Sequence, residues 1–490
     1  MNYKYILNII GKVLRVEAVL MLFPLIVGLI YKEPFSTTIL SFMITIAILL
    51  VIGFLLNLIK PKNHKILPRS SFIIVSLSWL LMSLFGSFPL IISGEVPNFF
   101  DAFFEMCSGF TTTGASIIKD VEVLSHSILF WRSFSHWIGG MGVIVFILAI
   151  LPDAKEGTSM HILRAESPGP QVGKLVSKMG ATARILYFIY LGMTLIEFLF
   201  LSLGPDKKMD LFSSITLTFS TAGTGGFSIL NSGIAEYSAY SQYVIAIFMI
   251  LFGINFSLFY LLLIKKYKTV VKNDEVKVYL FIVIFATAFI TANVYLQCKD
   301  LYSTFEESFR HSFFQVASLV STTGFVTTNY ELWPTSCIMI LLFLTFMGAC
   351  AGSTAGGFKV SRLIILLKSA GNKMKTAIHP RKIDVVSNGD GKIEKSVIEG
   401  TQTFFTIYML LLFVTTFLIS FDGFDVMTNF TASLSCISNV GPGLGKVGPV
   451  GNFSEFSSFS KFILSFLMIA GRLELFPIIA LFNFKTWKKR

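Results

Sequence analysis

Four short clusters of small hydroxyl residues and glycine punctuate this 490-residue chain. They are Thr111-Thr112-Thr113-Gly114, Ala222-Gly223-Thr224-Gly225-Gly226, Ser321-Thr322-Thr323-Gly324-Phe325 and Asn439-Val440-Gly441-Pro442-Gly443. Their residue types suit one chemistry. A cation that sheds its water needs oxygens close on several sides. Thr and Ser offer carbonyl and hydroxyl oxygens, and glycine tolerates φ > 0, which lets carbonyls of successive residues face one axis. The candidate coordinating residues are Thr112, Thr113, Gly114, Thr224, Gly225, Thr322, Thr323, Gly324, Asn439, Val440, Gly441 and Gly443. One such cluster is an ordinary turn or cap. Four, each at the same place in a repeating unit, read as four quarters of a cation filter.

The elements that must position them lie in a membrane. The chain is 54% hydrophobic and only 14% charged, with 51 Phe; soluble domains carry about 25% charged residues. Apolar runs of spanning length fall near 15–31, 38–59, 70–92, 128–151, 183–203, 239–264, 276–297, 335–368, 398–420 and 460–484. The first follows a basic start without a small-residue cleavage site, so it reads as a retained helix. Lys and Arg concentrate in alternate loops, such as Lys60–Arg69, Lys265–Lys272, Lys373–Lys395 and the tail Lys485–Arg490. The positive-inside rule then places these loops and both termini in the cytoplasm, and the net charge of +12 follows from topology rather than from affinity for nucleic acid. The five cysteines show no paired spacing and read as small buried hydrophobes.

Each cluster follows a short apolar segment: Asn98–Gly109, Leu211–Ser220, Phe305–Val320 and Val426–Ser438. A helix of about 12 residues is roughly 18 Å long, about half of the hydrocarbon thickness, so these segments are expected to re-enter rather than cross. Entering from outside, each aims its partly negative C-terminus at mid-membrane, which favours a cation. Irregular backbone at that depth must line protein or water, since lipid cannot satisfy it. The predicted fold is an all-α polytopic membrane protein of four span–pore helix–filter loop–span units around one pore, preceded by two extra spans. The expected divisions are 1–64 for the extra spans, then 65–153, 154–265, 266–370 and 371–490 for the four units. Gly114, Gly225, Gly324 and Gly443 serve as the repeat markers, at spacings near a hundred residues.

A second feature lies in the eighth span, where ten small residues run from Gly348 to Gly357. Four of them are glycines, which disfavour helix by about 1 kcal/mol each. A loop beneath the filter is the expectation, with Gly348, Gly352, Ser353, Thr354, Gly356 and Gly357 as gate residues; close helix packing is the plainer alternative. Lys359, at its end, fits either a snorkelling lysine or a positive plug. Arg472 and Glu474 interrupt the last span. Charges at that depth face a bundle interior or water. Arg472 is read as a positive barrier under the filter, or else as an arginine bonded to carbonyls or to a local partner. Arg132 and His136 stand one turn apart beside Trp131 and Trp137. The tryptophans read as interface anchors, and His136 as a packing residue, with a proton relay as the other role open to it.

Together these residues resemble the TrkH/TrkG–KtrB superfamily of bacterial potassium uptake proteins, the TrkH branch most closely. The resemblance also rests on Trp131–Gly142, Arg164–Pro170, Gly348–Lys359 and Gly471–Pro477. It implies a potassium pore in the bacterial inner membrane, potassium as substrate, and a homodimer in which each protomer has its own pore. It further implies gating by a cytosolic ring of TrkA-type subunits that bind the nucleotide, docked on the Arg164–Pro170 stretch, with no cofactor on this chain itself. In plant relatives, serine at the first-filter glycine accompanies sodium preference; here that position is Gly114, which favours potassium. The second cluster, with Ala222-Gly223, and the fourth, without Thr, depart mildly from the pattern. A proton- or sodium-coupled potassium symporter is the rival reading, since broken helices also mark transporters. No H-E-x-x-H, G-x-S-x-G or Walker motif occurs, so an enzyme is not expected. The loop lysines suit lipid headgroups.

Overall fold

The computed structural model describes residues 2–61, 68–142, 179–379, 387–388 and 391–482. The Arg164–Pro170 stretch and the basic tail from Lys485 lie outside the described residues. Apart from loops and a two-residue antiparallel ladder pairing Ser387 with Lys392, what is described is helical.

Among the described residues, six helices are long and apolar enough to cross a membrane: Tyr3–Ile30, Phe35–Leu58, Ser70–Ser93, Thr182–Ser202, Asp274–Gln297 and Lys395–Asp422. The first two cross at glycines. A β-carbon on Gly11 would come 2.8 Å from the Gly53 carbonyl, and one on Gly53 would come 3.0 Å from the Gly11 carbonyl. Small residues permit such approach where lipid supplies no hydrophobic drive between helices.

The spans expected over 239–264, 335–368 and 460–484 are each broken. Ala239–Phe252 and Phe256–Leu263 meet at 93°. Asn255 starts the second piece by accepting the Ser257 N–H on its side chain at 2.9 Å. Thr335–Met347 and Val360–Ile378 flank the glycine run. Ser458–Arg472 and Phe476–Phe482 are separated by Glu474 and Leu475, both left-handed with φ of 53° and 68°. The glycine run marked the second of these breaks in the sequence; a hydropathy average does not register the 93° bend at the first. Of the span expected over 128–151, His126–Gly140 is a helix, and 143–151 lies outside the described residues.

The half-length helices are Phe99–Phe110, Leu211–Ala222, Phe305–Val320 and Val426–Ser438. Each starts at a capping side chain that accepts an orphan N–H of the first turn: Asn98, Asp210, Thr304 and Asp425. Thr304 and Glu307 complete a reciprocal capping box. The tryptophans beside His136 bond neighbouring helices. Trp131 is fully buried and donates to the Gly86 carbonyl at 3.0 Å, while Trp137 donates to Thr194 at 3.2 Å. Their indoles fasten this helix to its neighbours.

Candidate functional site

The four clusters share one backbone conformation. Thr112, Thr224, Thr322 and Asn439 are left-handed, with φ of 55°, 54°, 59° and 55°. Two residues on, Gly114, Gly226, Gly324 and Gly441 are left-handed as well, at 78°, 80°, 82° and 99°. Between them, Thr113, Gly225, Thr323 and Val440 donate their N–H groups to Ser108, Ser220, Ser318 and Ser435 carbonyls at 2.9, 2.8, 2.9 and 3.0 Å. The same turn, with a serine at the same place, thus closes all four helices. This corrects the repeat register: Gly226 and Gly441, not Gly225 and Gly443, match Gly114 and Gly324. The glycine runs of the second and fourth clusters hide which glycine carries the positive φ. A left-handed β-branched residue is an outlier costing on the order of 1–3 kcal/mol, and three threonines adopt it here.

The turns close into a ring. A β-carbon on Gly114 would fall on the Gly225 carbonyl oxygen, one on Gly226 on that of Thr323, and one on Gly324 on that of Val440. One on Gly441 would come 2.8 Å from the carbonyl of Thr113. The contacts run first to second, second to third, third to fourth and fourth to first. At the first three junctions a β-carbon would collide with a backbone carbonyl, and at the fourth it would force the neighbouring turn to shift. Gly443 lies outside the ring; its β-carbon would meet side-chain atoms of Thr431 and Val447.

The Gly348–Lys359 segment is non-helical and touches this ring directly. The Gly356 N–H donates to Thr322 Oγ1 at 2.7 Å, and the Gly357 N–H to the Ser438 carbonyl at 2.8 Å. Gly348, Gly352, Gly357 and Lys359 are left-handed. The segment is tied down on every side. Ser353 donates to the Cys350 carbonyl at 2.7 Å and Thr354 to that of Phe252 at 3.2 Å. Glu275 accepts the N–H groups of Ala351 and Ser361 at 2.7 and 3.2 Å, so one carboxylate staples both ends. Buried Lys359 bonds the Ala355 carbonyl, so it does not snorkel. Arg472 reaches the Thr354 carbonyl at 2.7 Å and those of Gly139 and Gly140 at 2.6 Å. It therefore clamps the loop to the end of the helix behind the first quarter. Glu474 pairs with Arg362.

A model of the TrkH family, described as cation transport protein, matches residues 38–488. The fold superposes on the crystal structure of the potassium transporter TrkH from Vibrio parahaemolyticus with a TM-score of 0.87, at 30% identity and full coverage of both chains. The chain belongs to the TrkH family. It is 34% identical over 495 residues, the whole of both chains, to the Trk system potassium uptake protein TrkH of Escherichia coli K12. To TrkG of the same strain it is 33% identical, with 99% of each chain covered. This family is one of membrane transporters, not of enzymes.

Within this TrkH-family chain the ring is also held by Glu105, which the sequence did not tie to it. Glu105 is fully buried and binds Arg132 at 2.8 Å, Ser116 Oγ at 3.0 Å and the Ile117 N–H at 3.0 Å. The Arg132 guanidinium also lies 4.2 Å from the Phe227 ring. Seven residues before the left-handed position, Glu105 has Gln315 as its counterpart in the third unit, where it donates to Thr327 at 3.2 Å; the second and fourth units have Leu217 and Ala432. An acidic residue inside an apolar half-helix was the available signal for Glu105; its partner, 27 residues away, was not legible. His136 is fully buried against the second quarter.

Proposed function

We propose that this chain takes up potassium across the bacterial inner membrane through a gated pore lined by the carbonyls of the four turns, with both termini in the cytoplasm. The observation that carries the reading is the closed ring of four turns in one register, each at the end of a half-length helix. Thr112 Oγ1 is buried without a hydrogen-bond partner among the described residues, an oxygen that a dehydrated cation would use. The names of the relatives supply the ion, and the Gly348–Lys359 loop with Arg472 supplies the closure. Moving the loop and withdrawing the guanidinium would open the path; a fixed positive charge there opposes cation passage. In the same proposal two copies form a homodimer, a cytosolic TrkA-type ring binds the nucleotide and drives the gate, and the basic loops contact lipid.

The test is the reversal potential of reconstituted protein, with potassium, sodium and proton gradients varied separately. A potential that follows potassium alone supports the pore. One that follows a proton or sodium gradient at fixed potassium moves the reading to coupled symport.

A further inference from the structure

We propose that His136 positions the second quarter of the ring and thereby sets its ion selectivity. The inference rests on the pore reading above. The second quarter is the one without side chains where the first and third carry hydroxyl pairs. Thr111 and Thr113 bond each other at 2.8 Å, and Ser321 and Thr323 at 2.7 Å; the second quarter has Gly223 and Gly225 at these places. The space left behind them is filled from outside the loop. A β-carbon on Gly223 would fall on the His136 carbonyl, and one on Gly225 on the imidazole ring.

That ring is held at both nitrogens. Nδ1 lies 2.7 Å from the Gly109 carbonyl, and the Phe227 N–H lies 3.3 Å from Nε2. A carbonyl only accepts and a backbone N–H only donates, so the proton sits on Nδ1 and the ring is the neutral Nδ1–H tautomer. Gly109 stands just before the first turn, and Phe227 directly follows the left-handed Gly226. One imidazole thus fixes the spacing between adjacent quarters. Because both nitrogens serve backbone groups, neither is open to relay a proton.

The test uses the full-length protein in proteoliposomes, reading the potassium-to-sodium permeability ratio from reversal potentials. His136→Leu keeps the bulk and removes both hydrogen bonds. His136→Gln keeps a donor and an acceptor. The ratio should fall about tenfold in His136→Leu, as two net hydrogen bonds imply, and recover most of the way in His136→Gln. Thr323→Val, in the third quarter, is the reference for the pore reading. If Thr323→Val changes the ratio and a folded His136→Leu leaves it at the wild-type value, the positioning role is overturned while the pore stands. If neither changes it, both readings fall. Should His136→Leu not assemble, nitrogen-15 solid-state NMR of histidine-labelled wild type decides. One neutral Nδ1-protonated ring, absent in His136→Gln, is expected; an Nε2-protonated or doubly protonated ring at this site would overturn the assignment.

Discussion

The first and third quarters of the ring differ from the second and fourth in where their rigidity comes from. The odd quarters brace themselves, with hydroxyl pairs inside the turn and a buried polar residue, Glu105 or Gln315, seven residues before it. The even quarters lean on neighbours. His136 fills the second from behind. In the fourth, Asn439 donates its amide to Thr113 Oγ1 at 3.0 Å and to the Met468 carbonyl at 2.9 Å, and Ser438 shares a 2.7 Å hydrogen bond with Tyr408. Since the contacts run in chain order around the ring, self-braced and supported quarters alternate, and each supported quarter is flanked by two stiff ones. A loop can lose its own polar side chains when a neighbouring helix supplies a group of fitting shape.

That alternation can be broken experimentally. The largest effect is expected at Glu105, whose even counterparts are apolar. Glu105→Gln leaves the Arg132 guanidinium buried without its counter-charge, which costs about 3–5 kcal/mol, to be read as a lowered unfolding midpoint in detergent. A loss no greater than that of a surface change would remove Glu105 from the brace. Next comes Arg472→Ala, which releases the loop at the Thr354 carbonyl, a charge-assisted hydrogen bond worth about 1.5–3 kcal/mol. Leak flux in closed-state liposomes should rise by between tenfold and a hundredfold, and unchanged flux in a folded variant would count against the clamp. The register is tested by a pair. Gly441→Ala forces a side chain into a left-handed position, at about 1–3 kcal/mol, and against the Thr113 carbonyl, so potassium uptake should drop about tenfold. Gly443→Ala, whose β-carbon meets the Thr431 and Val447 side chains but no ring carbonyl and no positive φ, should cost less than Gly441→Ala, and the reverse order would restore the register read from sequence. Smallest is Thr323→Val, which loses one hydroxyl pair of about 1 kcal/mol and should reduce potassium preference about fivefold. An equal loss on substituting Val440 by Ala in the fourth quarter would erase the distinction between odd and even.

Much of the frame was written locally. Asn98, Asp210, Thr304 and Asp425 announce the half-helices because a capping side chain acts within three residues of itself. Five of the six long spans follow from apolar length, whereas the first starts at Tyr3 rather than near residue 15 because Asn8, Lys12 and Arg15 lower the hydropathy of its first turns. The glycine run Gly348–Gly357 marks the loop because its composition opposes helix. Other features depend on backbone angles or distant partners. Gly223-Thr224-Gly225-Gly226 offers three glycines for one positive φ, and only the closure against Thr323 selects Gly226. The bend at Gly253–Asn255 sits inside an apolar stretch that reads as unbroken, and in the last span Arg472 and Glu474 mark charge at depth without showing that the helix stops there. The role of Arg472 lay between a barrier and a local tie. Its bonds to Thr354, Gly139 and Gly140 show the tie, and the barrier is a matter for flux measurement.

The hydrogen bond from Gly356 to Thr322 joins what would otherwise be two independent devices. Thr322 belongs to the ring and Gly356 to the loop beneath it, and Gly357 repeats the link at Ser438. Two elements that share bonds share free energy, and the coupling is reciprocal. An ion that tightens the third turn must change the ease with which the loop leaves, by the same factor that the loop's departure changes the affinity for that ion. In the proposed pore, occupancy of the ring and release of the loop are therefore coupled, and ion concentration would bias the proposed gate.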